Sequence, residues 1–190
     1  MFKEILSEKW ELLSPAIQQH FDLNEGEEIK LEGKLAVRHG KFIKLLMPFI
    51  RLTGALVPVE GDNFTVTVEN KKVNDIFYWH RQFKKDNKTY EFTSKMQRFD
   101  NDIVEFVGLN LGIRLGLNVI NSGLIFEDKG YVFKFGSKLI PIPVQLLMGR
   151  SHIKEYTLKD SPHDLEMKFV VHHPYFGFGF SYMGYFNFKA

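Results

Sequence analysis

From Glu27 onward the chain alternates. Segment after segment places apolar residues at every second position, and short loops of Asn, Asp, Gly and Lys separate the segments. Successive side chains leave a strand on opposite sides, so a period of two marks a strand with one buried face. Ile29, Leu31, Leu35 and Val37 alternate with Glu28, Lys30, Glu32, Lys34 and Arg38. Phe64, Val66 and Val68 alternate with threonines. Phe77, Trp79, Arg81 and Phe83 share a face, and so do Tyr90, Phe92, Ser94 and Met96. Ile103 to Leu109 follows, then Leu111 to Val119, then Ile125 to Phe135. The loops Glu69-Asn70-Lys71-Lys72, Lys85-Asp86-Asn87-Lys88, Asp100-Asn101-Asp102, Asn121-Ser122-Gly123 and Asp128-Lys129-Gly130 carry hairpin chemistry, which joins neighbours antiparallel.

Two further strands, about 152–160 and 164–172, lead into an aromatic one. There Phe176, Phe178, Phe180, Tyr182, Phe186 and Phe188 share one parity, which predicts a single buried face. Gly177, Gly179 and Gly184 predict a bend in it. About ten antiparallel strands tend to curl or close. The expected fold is mainly β, α+β by content: one long, strongly curved sheet or closed barrel. Residues 2–22 follow a helical period through Phe2, Ile5, Leu6, Trp10, Leu13 and Ile17, with Ser14-Pro15 opening a second short helix. Residues 41–52 read as another helix, bent before Pro48, through Phe42, Leu45, Leu46, Phe49 and Ile50. Both are expected to pack on the sheet or plug it. Pro141-Ile142-Pro143 interrupts the strands, and Val144 to Met148 reads as one helical turn closed by Gly149. That interruption is either a lid or a rigid barrel corner.

No linker or repeat divides the 190 residues, so a single β-rich domain over 1–190 is expected. Phe supplies 19 of the aromatics, which suits an apolar core or cavity because Phe buries area without a polar group to satisfy. A net charge of +2 with scattered basic residues argues against nucleic acid. Cysteine is absent, which excludes disulfides and thiolate chemistry and fits a reducing, cytoplasmic setting. No apolar run is long enough for a signal or a membrane-spanning helix. Lys41, Lys44 and Arg51 beside the apolar face of 41–52 admit a membrane-surface helix, but ordinary core packing explains the same pattern.

Chemistry-bearing residues are few. Parity places Arg81 on the apolar face with Trp79 and Phe83, where a guanidinium must find a partner or reach water. It would hold the acidic head of a ligand, or else form an internal ion pair or a cation–π contact with Trp79. Glu105 shares parity with Ile103 and Val107, so Arg81 and Glu105 are expected to meet inside the barrel. Glu155 shares parity with Ile153, but Tyr156 and Leu158 favour the other face. The seven histidines show no metal-ligand spacing; His172-His173 point oppositely on one strand. Gly136-Ser137-Lys138 lacks the strand-turn-helix setting of a nucleophilic serine. No metal, cofactor or catalytic residue is therefore expected.

Several pieces, in order, resemble an uncharacterised bacterial family known as domain of unknown function 4166. They are Leu13-Ser14-Pro15-Ala16 with His20-Phe21, Gly33 to Gly40, Trp79-His80-Arg81-Gln82-Phe83, Glu105, Leu139-Ile140-Pro141-Ile142-Pro143, Glu155, and Pro174-Tyr175-Phe176-Gly177 with Tyr182 and Gly184. The resemblance implies a self-contained β-rich domain that handles a small molecule. It also implies association with an oxidoreductase domain, since some members are fused to a nicotinamide-dinucleotide-binding one. It brings no established activity and so no catalytic residue.

The resulting expectation is a non-catalytic binding module with an apolar cavity for a small lipid-like or aromatic ligand. Arg81 is its polar contact, and Trp79, Phe83, Glu105, Phe178, Phe180 and Tyr182 are the other site residues. The alternatives are a structural or protein-interaction domain with a solid aromatic core, and an enzyme using Arg81, Glu105 and His80 or His172.

Overall fold

Hairpins build most of the molecule. In the computed structural model, which describes residues 1–53, 56–158 and 161–189, eleven strands follow one another. They are β1 Glu28–His39, β2 Gly61–Val73, β3 Ile76–Lys85, β4 Lys88–Phe99, β5 Asp102–Phe106, β6 Leu111–Ile120, β7 Gly123–Phe135, β8 Lys138–Ile142, β9 Arg150–Leu158, β10 Ser161–His173 and β11 Gly177–Phe188. The side chains of Phe49, Arg51 and His163, residues that figure in the sequence patterns above, lie outside the described set.

Every pairing is antiparallel, and the sheet closes. Neighbours run β6-β5-β4-β3-β2-β1-β11-β10-β9-β7, and β7 pairs back onto β6, giving a ten-stranded barrel with β8 outside it. The expected curved sheet or closed barrel is thus a closed one. Closure rests on β7, which divides its length. Its first half sits between β6 and β9, from Leu124↔Glu155 to Glu127↔His152. Its second half leaves β9 and pairs with β8, from Tyr131↔Ile142 to Phe135↔Lys138. This outer hairpin buries Val132 against Val104 and Phe106, with Phe99 and Leu139 beside them. All five residues of β5 are therefore buried, Ile103 and Glu105 facing one way and Val104 and Phe106 the other.

The N-terminus plugs one end. Helix α1 (Phe2–Leu6), a 3₁₀ turn (Ser7–Leu12) and helix α2 (Pro15–Phe21) replace the continuous period over 2–22, and the break falls at Ser7, where φ is 51°. Pro15 does open α2. Phe2 and Phe21 pack on Phe77 and Phe126, and Trp10 and Ile17 are buried with them. The other end is covered by α3 (Lys41–Thr53), which carries Pro48 within it, and by the single turn α4 (Gln145–Met148), closed by Gly149 at φ 88°.

The aromatic strand departs from its predicted single face. Val171 pairs with Phe180, but His172 pairs with Phe178, so Gly179 is an extra residue in β11. A bulge of one residue exchanges inside for outside beyond it. Phe180, Tyr182 and Phe186 are buried, whereas Phe178 and Phe176 are 38% and 57% exposed. The backbone also comes close here: Gly40 N donates to Gly179 O. A Cβ added to Gly184 would lie 2.2 Å from Lys34 O and 2.3 Å from Leu35 Cβ. Neither β1 backbone nor a core leucine can give way cheaply, so Gly184→Ala should cost about 1–3 kcal/mol of stability. Urea unfolding measures it; an unchanged midpoint would show that β1 and β11 do not approach this tightly.

Candidate functional site

The barrel interior is not filled. Between the N-terminal plug and α3–α4 lies a cavity of about 510 Å³, lined almost wholly by apolar side chains. Ile43, Leu46 and Ile50 of α3 and Leu147 and Met148 of α4 face it from one end, and Trp79 and Phe126 border it near the plug. The wall itself comes from inward positions of the strands, among them Phe92 and Met96 of β4, Ile113 of β6, Ile153 of β9 and Phe180 of β11.

One ion pair is set into this wall. Arg81 and Glu105 stand one strand apart, because β4 lies between β3 and β5: Arg81 pairs with Phe92, and Met96 with Glu105. Arg81 Nη2 donates to Glu105 Oε1 at 3.2 Å and Nη1 donates to Ser94 Oγ at 3.2 Å. Ser94 Oγ in turn donates to Glu105 Oε1 at 2.6 Å. The guanidinium also lies 4.3 Å from the Trp79 ring centre and 5.0 Å from that of Phe92. The ion pair and the cation–π contact, weighed as separate possibilities in the sequence, occur together.

A second polar group closes the floor. His20 of α2 is buried, with Nδ1 2.5 Å from Glu155 Oε1 and Nε2 accepting from Asn70 Nδ2 at 2.6 Å. Its ring stacks on Trp79 at 5.8 Å. The sequence left Glu155 undecided and placed Asn70 in a turn. The single usable signal was the shared parity of Glu155 with Ile153, because the contact spans 135 residues.

The remaining polar atoms are hydroxyls and one indole. Tyr182 Oη has no hydrogen-bond partner among the described residues, and burial pushes its pKa up to about 12. Burial likewise raises Tyr131 to about 12. Ser151 Oγ lies beside Tyr131, and Trp79 Nε1 is buried with no acceptor among the described residues. Two predicted site residues lie elsewhere. Phe83 is buried on the same inner face as Arg81, against Phe64 and Tyr182, but borders a separate void of only about 20 Å³. Phe178 points outward, beyond the Gly179 bulge, against His172.

Among the histidines, His80 is on the outer face beside Glu69 and Glu91, so it is not brought to Arg81. His39 is buried under Phe180, with Nε2 3.0 Å from Val57 O, and burial lowers its pKa. His173 ties the covered end together. Its Nδ1 accepts from Tyr175 N and Phe176 N, and its Nε2 donates to Leu146 O at 2.9 Å. No cluster among the described residues is arranged to hold a metal ion.

Breaking a buried pair strands a charge at a cost of about 3–5 kcal/mol. Arg81→Met and Glu105→Gln should each destabilise by that order. The double variant should lose less than the sum, by about 0.5–3 kcal/mol. Denaturant melts of all four proteins give this coupling, and strictly additive losses would mean that the two groups do not interact.

The chain is similar to a protein of known structure in fold. It aligns with the crystal structure of Rv2717c from M. tuberculosis at a TM-score of 0.50 and 10% identity, over 94% of this chain and 99% of that one. At that identity the likeness concerns the fold alone. No curated protein sequence matches the chain. The family described as a domain of unknown function, DUF4166, matches residues 13–186, nearly the whole barrel with its α2 plug, and the chain belongs to that family.

Proposed function

We propose that this domain binds a small apolar or amphipathic molecule inside the barrel, with Arg81 and its neighbours as the polar contact. The observation that carries this reading is the open volume of about 510 Å³ with an apolar wall and one buried ion pair. Small-molecule sites commonly occupy about 300–1,000 Å³ and combine an apolar lining with a few fixed polar groups. Space of this kind is costly to leave unfilled, because its lining atoms forgo dispersion contacts. A ligand would recover them. Leu147 lines the cavity and is 50% exposed, so α4 marks a route between the interior and solvent.

Among the described residues that line the space no hydroxyl donates to a base; Ser94, whose hydroxyl donates to Glu105, does not line it. Arg81 is engaged by Glu105 and Ser94, and Glu155 by His20, so each charged group that lines the space has a structural partner. That arrangement supports holding a molecule rather than transforming one. Fusion of some family members to nicotinamide-dinucleotide oxidoreductases suits a carrier that presents such a molecule to an enzyme. A second reading, a protein-interaction domain, draws on the exposed Leu45, Leu146, Tyr175 and Phe176 on the elements that cover the same end.

A neutral solvatochromic dye such as Nile red tests the binding reading. Its emission should shift to the blue and saturate with the parent protein. Ile153→Trp, which projects bulk into the cavity, should abolish saturable binding while the thermal melt stays cooperative. Equal binding by the two proteins would place the dye on the outside and remove support for an interior site.

A further inference from the structure

We infer that the cavity selects a ligand whose polar end is uncharged (an alcohol, carbonyl, phenol or amide) and rejects carboxylates and phosphates of the same length. This rests on the binding reading above and adds the chemical class of its ligand. Among the described residues, the groups with formal charge that line the space are Arg81, Glu105 and Glu155, and Arg81 is the only cation. Its charge is already matched by Glu105 at 3.2 Å, with Ser94 bridging the two. A ligand carboxylate arriving at Arg81 would meet Glu105 beside it and Glu155 across the barrel. It would also leave water for an apolar enclosure with no unmatched cation.

Uncharged heads do not meet that cost. Among the described residues the Tyr182 hydroxyl makes no hydrogen bond, so the wall keeps one neutral donor for such a head; the Trp79 N–H and the Ser151 hydroxyl are sealed beneath the surface of the cavity. The tyrosines report the same environment. Burial holds the Tyr131 and Tyr182 phenols protonated up to about 12, so the interior resists a new negative charge on its own side chains.

Decan-1-ol and decanoate, equal in chain length and different in head, test this at pH 8, where decanoate is ionised. Each is titrated against Nile red bound to the parent protein and to Glu105→Gln. With the parent, decan-1-ol should displace the dye at concentrations at least about tenfold lower than decanoate. In Glu105→Gln the cation is left unmatched, so the preference should shrink or reverse by about tenfold or more. Decanoate displacing the dye from the parent as well as decan-1-ol does would overturn the inference and leave the binding reading intact. An alcohol preference unchanged in a folded Glu105→Gln protein would overturn the charge-matching argument. A parent protein that never binds the dye would remove the binding reading, and this inference with it. Should Glu105→Gln fail to fold, the ratio measured on the parent protein decides.

Discussion

Ring closure through β7 governs the molecule. Once β7 is gripped by β6 on one side and by β9 on the other, the number of strands around the barrel is fixed at ten. About eight strands enclose an interior that side chains can fill, and each added strand widens it. Even with large aromatics at many inward positions, this wall cannot meet itself across the centre. The helices respond to that geometry. Phe2, Trp10, Ile17 and Phe21 fill one end from the N-terminal segment, and α3 and α4 cover the other, leaving space between them. The early departure of β7 from β9 also explains β8, which spends the rest of the strand on a small outer core rather than on the ring.

Charge inside the wall follows a rule of local satisfaction. Arg81 has a carboxylate, a hydroxyl and two aromatic faces within contact, and Glu155 has His20. Buried charges persist only when matched in this way. Among the described residues that line the cavity, the buried side-chain atoms without a partner are neutral, the Trp79 N–H and the Ser151 hydroxyl. The proposed selection against charged head groups rests on this arrangement.

Much of this was legible in the sequence, and the limits have physical reasons. Strict alternation foretold the strands, and turn chemistry three of their hairpins, but the predicted loops Glu69–Lys72 and Asp128–Gly130 lie inside β2 and β7. Parity alone brought Arg81 and Glu105 together, because inward residues with a single strand between them are within side-chain reach. The single aromatic face failed at Gly179, since a bulge costs one residue and leaves no mark in the pattern except a glycine. Phe178 was lost to the outside for that reason. The His20–Glu155–Asn70 group left no trace beyond the parity of Glu155, because it joins a plug helix to strands far away in the chain. The presence of open volume could not be read from residues at all, since it depends on strand number and closure.

The account stands or falls on that volume. Xenon enters apolar cavities and marks them by its electron density. A crystal of the ligand-free protein equilibrated under xenon pressure should show bound xenon among Met96, Ile113, Ile153 and Phe180, in the centre of the barrel. Unoccupied density there, with these side chains in contact across the axis, would mean a solid core and contradict the account.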